Sequence, residues 1–263
     1  MGGGVSAPGE SAVGSTEGAD LAPLLAELRR LLGADAVCDS TARCLPYDSD
    51  AMPLYRSRPT AVLLPESEED AAAALRLLHA AGVPWAPRGA GPGLSGGAIA
   101  PPGGILVGTA RMRRIQAIDE VGRRARAAAG VVNLTLDQHA ARVGLAFAPD
   151  PSSQMTSTIG GNAATNAGGP HTLKYGTTAQ HLLGVRLVLA DGSALELGGE
   201  EETMAGYDLL ALVCGSEGTF GLVTEATLRL IPRPEATRTF LVAFDSVADA
   251  SRGVAALLRA GIT

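Results

Sequence analysis

A glycine-rich stretch directly after a predicted buried strand is the strongest constraint in this sequence. The stretch PRGAGPGLSGG, residues 87–97, places glycines at 89, 91, 93, 96 and 97 immediately after the apolar run 83–86. Glycine accepts positive φ angles and lets another molecule approach the peptide plane closely. Several amide N–H groups of such a loop can point into one concavity and hold an anion such as a pyrophosphate. The stretch therefore predicts an anion-binding loop.

Two further glycine-rich segments follow later in the chain. STIGGNAATNAGG spans residues 157–169, behind the polar segment PDPSSQ at 149–154, and GSEGTFG spans residues 215–221. Small hydroxyls and amides beside glycines supply hydrogen-bond donors and leave space for a large ligand. Glu217 in the third segment either caps a backbone turn or faces a ribose or ring edge. Together the segments predict a dinucleotide held at more than one point.

The first loop matches neither of the common phosphate-binding motifs. A Rossmann turn would need a helix to begin within residues 89–93, and Pro92, Gly96 and Gly97 oppose a helix there. A P-loop is excluded because no Gly-Lys-Ser/Thr sequence follows.

Hydrophobic patterning predicts two α+β parts and a short terminal segment. In the first part it predicts helices over 21–32 and from Ser67 to Gly82, and strands over 61–64, 83–87 and 104–108. In the second part it predicts paired strands over 115–118 and 124–129 and a helix over 135–143. It then predicts a hairpin of 182–190 and 193–197 around Asp191-Gly192, and a strand over 222–231. A strand over 237–244 and an amphipathic helix from Val247 to Leu258 follow.

These elements predict a domain organisation. We expect a disordered tail at residues 1–19 and a ligand-binding domain at 20–234, with subdomains of about 20–110 and 111–234. A lone strand and helix cannot cover each other's apolar faces. Residues 235–263 are therefore expected to open a further, truncated domain.

Composition excludes several classes of protein. The formal net charge of −6 opposes nucleic-acid binding. Cys38, Cys44 and Cys214 lack the spacing of a disulfide framework or a zinc site, so no metal is predicted. No apolar run is long enough for a transmembrane segment, and the first 19 residues lack the pattern of a signal peptide. We expect a cytoplasmic protein, and a position peripheral to the inner membrane through its partners is the open alternative.

Four motifs in a fixed order resemble one family of flavoenzymes. They are PRGAGPGLSGG, FAPDPSSQMTSTIGGNAATNAGGPHTLKYG, VRLVLADG and GSEGTFGLVTEATLRLIPRPE. They resemble the FAD-linked 2-hydroxy-acid dehydrogenases, and more narrowly the flavin subunit of glycolate oxidase and the related D-lactate dehydrogenases. The resemblance runs from about Thr41 onward. It implies an α+β fold, namely a vanillyl-alcohol-oxidase-type (PCMH-type) FAD-binding domain of two α+β subdomains, followed by the start of a cap domain at 235–263.

The resemblance also implies which residues bind the FAD. Residues 87–95 would wrap the pyrophosphate, and residues 152–161 would line the flavin side. Residues 165–168 would contact the cofactor further along, and residues 217–223 would close over the adenine half. The implied cofactor-binding residues are Pro87, Arg88, Gly89, Ala90, Gly91, Pro92, Gly93, Leu94, Ser95, Ser152, Ser153, Thr156, Ser157, Thr158, Ile159, Gly160, Gly161, Thr165, Asn166, Ala167, Gly168, Glu217, Gly218, Thr219, Gly221 and Val223.

Two details of these motifs bear on the cofactor. Pro92 stands where the family usually has Thr, so one N–H and one hydroxyl are missing from the loop. The first loop contains no histidine, so we expect the FAD to be bound non-covalently. Among the histidines we consider only His171 to lie near the flavin ring, and a structural hydrogen bond is the more common role for such a residue.

The implied reaction is the oxidation of a small 2-hydroxy acid, such as glycolate or D-lactate. The substrate would lose a hydride to the FAD and a proton to a base, and an electron-acceptor protein or quinone would then reoxidise the flavin. No catalytic residue is assigned, because the family's substrate-binding and base residues lie mostly in the cap domain. The alternatives are a truncated FAD-binding module or subunit without turnover of its own, and a sister flavoenzyme acting on sugars or an enolpyruvyl group.

Overall fold

The computed structural model describes residues 21–199 and 206–262. The tail predicted at 1–19 lies outside the described residues. Within them the helices are α1 (Ala22–Leu32), α2 (Thr41–Cys44), α3 (Glu68–Ala80), α4 (Asn133–Ala141), α5 (Ile159–Thr165), α6 (Thr172–Tyr175), α7 (Thr178–His181), α8 (Leu209–Val213) and α9 (Val247–Arg259). The strands are β1 (Val37–Cys38), β2 (Ala61–Leu63), β3 (Trp85–Arg88), β4 (Ile105–Gly108), β5 (Ile115–Asp119), β6 (Arg124–Ala128), β7 (Leu145–Ala146), β8 (Leu182–Val188), β9 (Ala194–Gly198), β10 (Leu222–Arg229) and β11 (Ile231–Pro232).

The first sheet is small and mostly parallel. Its strand order is β1-β2-β4-β3, with β2, β4 and β3 parallel and β1 antiparallel at one edge. Helix α3 begins as the sequence predicts, because the Ser67 hydroxyl accepts a hydrogen bond from the Asp70 N–H at 3.1 Å. Its predicted stripe, Ala71, Ala74, Leu75 and Leu78, is fully buried. Because β3 and β4 are parallel, their carboxyl ends lie at one edge of the sheet, where the first glycine-rich loop begins.

The second sheet is antiparallel and has the order β5-β6-β10-β8-β9. The predicted hairpin around Asp191-Gly192 is confirmed as the β8–β9 pair, in which Val188 faces Ala194. The predicted pairing of the strands near 115 and 124 is also confirmed. The helix predicted over 135–143 is present but begins and ends two residues earlier, as α4. The subdomain boundaries near 110 and 234 stay predictions.

One buried core joins residues of both sheets and of helices α3 and α5. Its members are mainly Leu, Val and Ala, as expected for a chain with 3% aromatic residues. The Ala-rich face of α3 can come close to the second sheet because its side chains are small. At the edge of this contact the Arg76 guanidinium donates to the Gly192 carbonyl at 3.2 Å.

The predicted strand over residues 237–244 is wrong. This segment pairs with no strand in the described part of the chain, and Phe240 and Leu241 are 81% and 100% exposed. β-propensity indicates a residue that fits a pleated surface, and without a neighbouring strand it does not produce a ladder. Helix α9 does follow, capped by the Ser246 hydroxyl, which accepts from the Asp249 N–H at 3.1 Å.

An ion pair connects α3 to the second sheet. Glu68, in the first turn of α3, accepts hydrogen bonds from Arg186 Nε at 3.0 Å and from the Thr224 hydroxyl at 2.6 Å, and it also pairs with Arg186 Nη2. Burial opposes ionisation of Glu68, but the hydrogen bonds from Arg186 and Thr224 and the Arg186 charge outweigh it, so the pKa of this carboxyl is lowered.

We expect Glu68→Gln to lower the free energy of unfolding by about 1–2 kcal/mol at pH 7, because it removes a charged acceptor that is 14% exposed. The folded-state pKa lies below the unfolded value of about 4.3. The ionised carboxyl therefore stabilises the fold above that value, and the contribution disappears as the pH falls through the folded-state pKa. Urea unfolding of both proteins from neutral to acid pH checks this prediction.

Glu69→Gln is the matched control, since Glu69 is the next residue of α3 and is exposed. The stabilising role of the ionised Glu68 carboxyl would be contradicted by either of two results. One is a loss of stability in Glu68→Gln that is the same at neutral pH and well below pH 4, and the other is an equal loss in Glu69→Gln.

Candidate functional site

A cavity of about 400 Å³ lies where the three glycine-rich segments meet. The first segment contributes the end of β3 and the loop that follows it, the second contributes the polar turn before α5 and one face of α5, and the third contributes residues next to β10. The lining residues are Asp50, Pro87, Arg88, Gly89, Ala90, Gly91, Pro92, Gly93, Leu94, Ser95, Gly97, Ala98, Thr109, Ser153, Ser157, Thr158, Gly160, Gly161, Asn162, Ala164, Thr165, Ala167, Val213, Ser216, Glu217, Gly218, Gly221, Leu222 and Val223.

The first loop is fixed at its base by a buried carboxylate. Asp50 accepts hydrogen bonds from the Gly96 N–H at 2.8 Å and from the Met52 N–H at 2.7 Å. The Ala51 N–H donates to the Gly93 carbonyl at 3.1 Å. The carboxylate is thus used to hold backbone, and the loop is tied to residues about forty positions earlier in the chain.

The turn of this loop requires a residue without a side chain at position 91. Its φ is +80°, and a Cβ added there would lie 2.6 Å from Nη2 of Arg88. Arg88 is 6% exposed, and its Nη1 donates to the carbonyls of Ser49 at 3.0 Å and Ala98 at 2.9 Å. The guanidinium therefore lies beneath the loop and has little room to move away.

The other two segments are joined by backbone hydrogen bonds. The Gly215 N–H donates to the Ala163 carbonyl at 2.9 Å, and the Glu217 N–H donates to the Ala164 carbonyl at 2.7 Å. Both acceptors lie in α5, which the Thr158 hydroxyl caps by accepting from the Gly161 N–H at 3.3 Å. Helix α5 thereby fixes the third segment at the wall of the cavity.

The first and third segments also approach each other closely. A Cβ on Gly97 would lie 2.7 Å from Oε2 of Glu217, and one on Gly218 would overlap the Pro87 ring. Glu217 itself has φ +54°, a conformation that non-glycine residues seldom adopt. Its carboxylate has no hydrogen-bond partner in the described part of the chain. Glu217 also lines a second cavity of about 360 Å³ that shares this wall.

The cavity wall carries hydrogen-bonding groups without protein partners. The N–H groups of Ala90, Gly91, Gly93, Leu94 and Ser95 donate to no acceptor among the described residues. The buried polar atoms Thr109 Oγ1, Ser157 Oγ and Asn162 Nδ2 also lack a partner there. Buried polar groups are normally hydrogen-bonded, so the three side-chain atoms favour a polar partner here. The amides of Ala90, Gly93, Leu94 and Ser95 belong to exposed residues, which a ligand can reach.

Most of the residues predicted from the sequence line this cavity, but six do not: Ser152, Thr156, Ile159, Asn166, Gly168 and Thr219. Ile159 is buried in the core at 1% exposure. Asn166 Oδ1 instead accepts from the Ala179 N–H at 2.9 Å, and the Thr219 hydroxyl donates to the Ser216 carbonyl at 2.8 Å. Position within a motif did not predict on which side of the backbone each residue lies.

Several residues that line the cavity were not among those predicted from the sequence. Gly97, Asn162, Ala164, Ser216 and Leu222 lie inside the quoted motifs, so the motifs themselves could have indicated them. Thr109 follows β4, at the same sheet edge as the loop after β3, which is a signal that the strand prediction already contained. Asp50, Ala98 and Val213 carried no such signal.

The histidines do not line the cavity. His181, which is 3% exposed, uses Nε2 to bond the Tyr175 carbonyl at 2.8 Å, a structural role. His171, predicted near the ring, instead has Nδ1 2.5 Å from Oδ2 of Asp150, and neither residue lines the cavity.

Among the described residues no helix is long and apolar enough to cross a membrane.

Comparison with solved structures supports the fold. Alkyldihydroxyacetonephosphate synthase superposes with a TM-score of 0.74 at 24% identity, over 81% of this chain and 41% of that one. 6-Hydroxy-D-nicotine oxidase from Arthrobacter nicotinovorans gives a TM-score of 0.65 at 27% identity, over 74% of this chain and 42% of that one. The expected α+β, PCMH-type fold is thereby confirmed.

Comparison with protein sequences gives the family. The glycolate oxidase subunit GlcD of Escherichia coli (strain K12) is 43% identical over 249 residues, which cover 95% of this chain and 50% of that protein. The D-lactate dehydrogenase of Archaeoglobus fulgidus is 39% identical over 199 residues, 75% of this chain and 44% of that protein. The chain thus spans about half the length of these relatives. A family model described as an FAD binding domain matches residues 59–198, and the chain therefore belongs to the FAD-binding domain family.

Proposed function

We propose that this chain binds FAD non-covalently in the 400 Å³ cavity and forms the flavin half of a FAD-dependent 2-hydroxy-acid dehydrogenase or oxidase of the glycolate or D-lactate type. The observation that carries the proposal is the convergence of three glycine-rich segments around a wall of unpartnered N–H and side-chain groups. The relatives named glycolate oxidase subunit and D-lactate dehydrogenase support the substrate class.

The groups on the cavity wall suit the parts of FAD. Free backbone N–H groups of the first loop suit the diphosphate, which carries negative charge. The unpartnered Ser157 hydroxyl and Asn162 amide suit the polar edge of the ring, which needs donors and acceptors. No histidine or cysteine of the described chain lines the cavity, which supports non-covalent binding.

When bound, FAD supplies the two-electron acceptor for a hydride from the substrate. The residues of this chain bind and orient the cofactor and exclude water from it. We further propose an electron-acceptor protein or quinone as partner, and a cytoplasmic location peripheral to the inner membrane.

A second function, FAD binding without turnover, is favoured by the charges in the cavity. Its charged lining residues, within the described ranges, are Asp50, Arg88 and Glu217. Asp50 and Glu217 would repel the carboxylate of a 2-hydroxy acid, and Arg88 lies at the glycine-rich loop, which the diphosphate would occupy. A cation for the substrate carboxylate would have to come from outside this cavity.

We expect the purified chain to show the visible absorption bands of oxidised flavin, and acid precipitation to release the flavin into the supernatant. Anaerobic addition of glycolate or D-lactate should bleach these bands if the chain turns over. Stable bands with both substrates would favour the binding module. Protein that stays colourless and does not bind added FAD would contradict the proposed function altogether.

We expect Gly91→Val to abolish FAD retention while helix content stays close to that of the wild type. The new side chain would meet the buried Arg88 guanidinium and would strain a backbone with φ +80°, so the loop itself would be displaced. Flavin content after gel filtration and far-UV circular dichroism check both parts.

Gly144→Val is the matched control. Gly144 also has positive φ, +72°, but no atom lies within 4 Å of its added Cβ and it does not line the cavity. Equal flavin loss in both variants would show that general strain, and not the loop, is responsible.

A further inference from the structure

Arg88 holds a positive charge at the floor of the cavity. It is the last residue of β3, and its side chain turns back beneath the loop that follows. Nη1 donates to the carbonyls of Ser49 at 3.0 Å, Ala98 at 2.9 Å and Tyr47 at 3.4 Å. The guanidinium carbon also lies 5.3 Å from the centre of the Tyr47 ring. The guanidinium is thus held by uncharged groups, namely three backbone carbonyls and one aromatic ring.

This charge lacks a close counter-ion. No carboxylate of the described residues lies within salt-bridge distance of Arg88, and neither its Nε nor its Nη2 has an acceptor there. Asp50 is engaged by two backbone N–H groups, and Asp48 pairs with Arg56 at 3.4 Å. Burial lowers the pKa of Arg88, and the Tyr47, Asp50 and Asp48 groups oppose that shift. A buried cation with only carbonyl partners is costly unless an anion approaches it.

The loop that carries the free N–H groups passes close to this cation at Gly91. The N–H groups of Gly91, Gly93 and Leu94 have no acceptor in the described chain, and Nη2 of Arg88 lies close to Gly91. A concavity of donors with a cation behind it attracts a group that carries two negative charges more strongly than a neutral ring.

We propose that Arg88 is a positioning residue for the diphosphate of FAD: its guanidinium holds the glycine loop from beneath and supplies the local positive charge that the diphosphate needs. This inference rests on the proposed function. It differs from a purely structural role because the charge, and not only the hydrogen bonds, contributes to binding.

The test compares Arg88→Gln with Arg88→Lys. Glutamine keeps hydrogen-bonding capacity without charge, and lysine keeps the charge without the planar fork. Apo-protein is titrated with FAD and with riboflavin, which carries no phosphate, at low and moderate salt. We expect Arg88→Gln to weaken FAD binding on the order of ten- to hundredfold with little change for riboflavin, and Arg88→Lys to recover part of the loss.

The salt dependence of FAD binding distinguishes the charge of Arg88 from a purely structural role, because a change in loop structure alone would not alter it. The protein carries a formal net charge of −6, so repulsion of anionic FAD by the overall charge would be relieved by salt and binding would strengthen. If Arg88 acts through its charge, wild-type FAD binding should instead weaken with salt, and Arg88→Gln should lose that dependence. The control is Arg30→Gln, which removes an equal charge from an exposed residue that does not line the cavity.

The possible failures are distinguishable. Wild-type protein that binds no FAD would overturn the proposed function. Wild-type protein that binds FAD, with Arg88→Gln binding it equally well, would overturn only the role of Arg88. Equal losses for FAD and riboflavin in both variants would also overturn it, since they indicate a structural role. If Arg88→Gln does not fold, the wild-type salt dependence decides, and FAD affinity that is constant or rises with salt overturns the proposal.

Discussion

The cavity depends on irregular backbone that is held by hydrogen bonds where apolar packing is absent. Leu94, the large apolar side chain within the first loop, is 61% exposed and gives the loop no core of its own. The loop keeps its shape because the Asp50 carboxylate accepts from backbone N–H groups and Arg88 donates to backbone carbonyls. Two buried charged side chains thus replace a hydrophobic core, and the N–H groups of Gly91, Gly93 and Leu94 keep no acceptor in the described chain.

The position of the cavity follows from the way the two sheets pack. Helix α3 presents small Ala side chains toward the second sheet. At the edge of that contact Glu68 bonds to Arg186 in β8, and Arg76 bonds to Gly192 in the turn between β8 and β9. Helix α5 packs against the second sheet, and Gly160 approaches Ala129 so closely that an added Cβ would lie 2.6 Å from the Ala129 Cβ. The ends of β3 and β4 therefore meet the α5 region across a gap, and the glycine-rich segments border it.

Local sequence predicted the elements whose signals are local. The helix after Ser67, with its cap and apolar stripe, and the hairpin around Asp191-Gly192 both form because the required residues are near neighbours in the chain. The strand predicted over residues 237–244 does not form, because pairing is decided by a neighbour that the segment itself does not specify. The same reason explains the predicted site residues that miss the cavity: Ile159 and Asn166 lie in the correct segment, but their side chains are used by the core and by α7.

By itself the sequence determined that three segments are rich in glycine and small polar residues, that the first follows a predictable strand, and that they match an FAD-binding family. These properties are local, because glycine spacing and hydrophobic periodicity are read along the chain. Only the tertiary structure decided that Asp50 anchors the loop, that Val213 lines the same cavity, and that Arg88 donates to the Ser49 carbonyl. Those contacts join residues far apart in the chain, and only the packing of the folded chain brings them together.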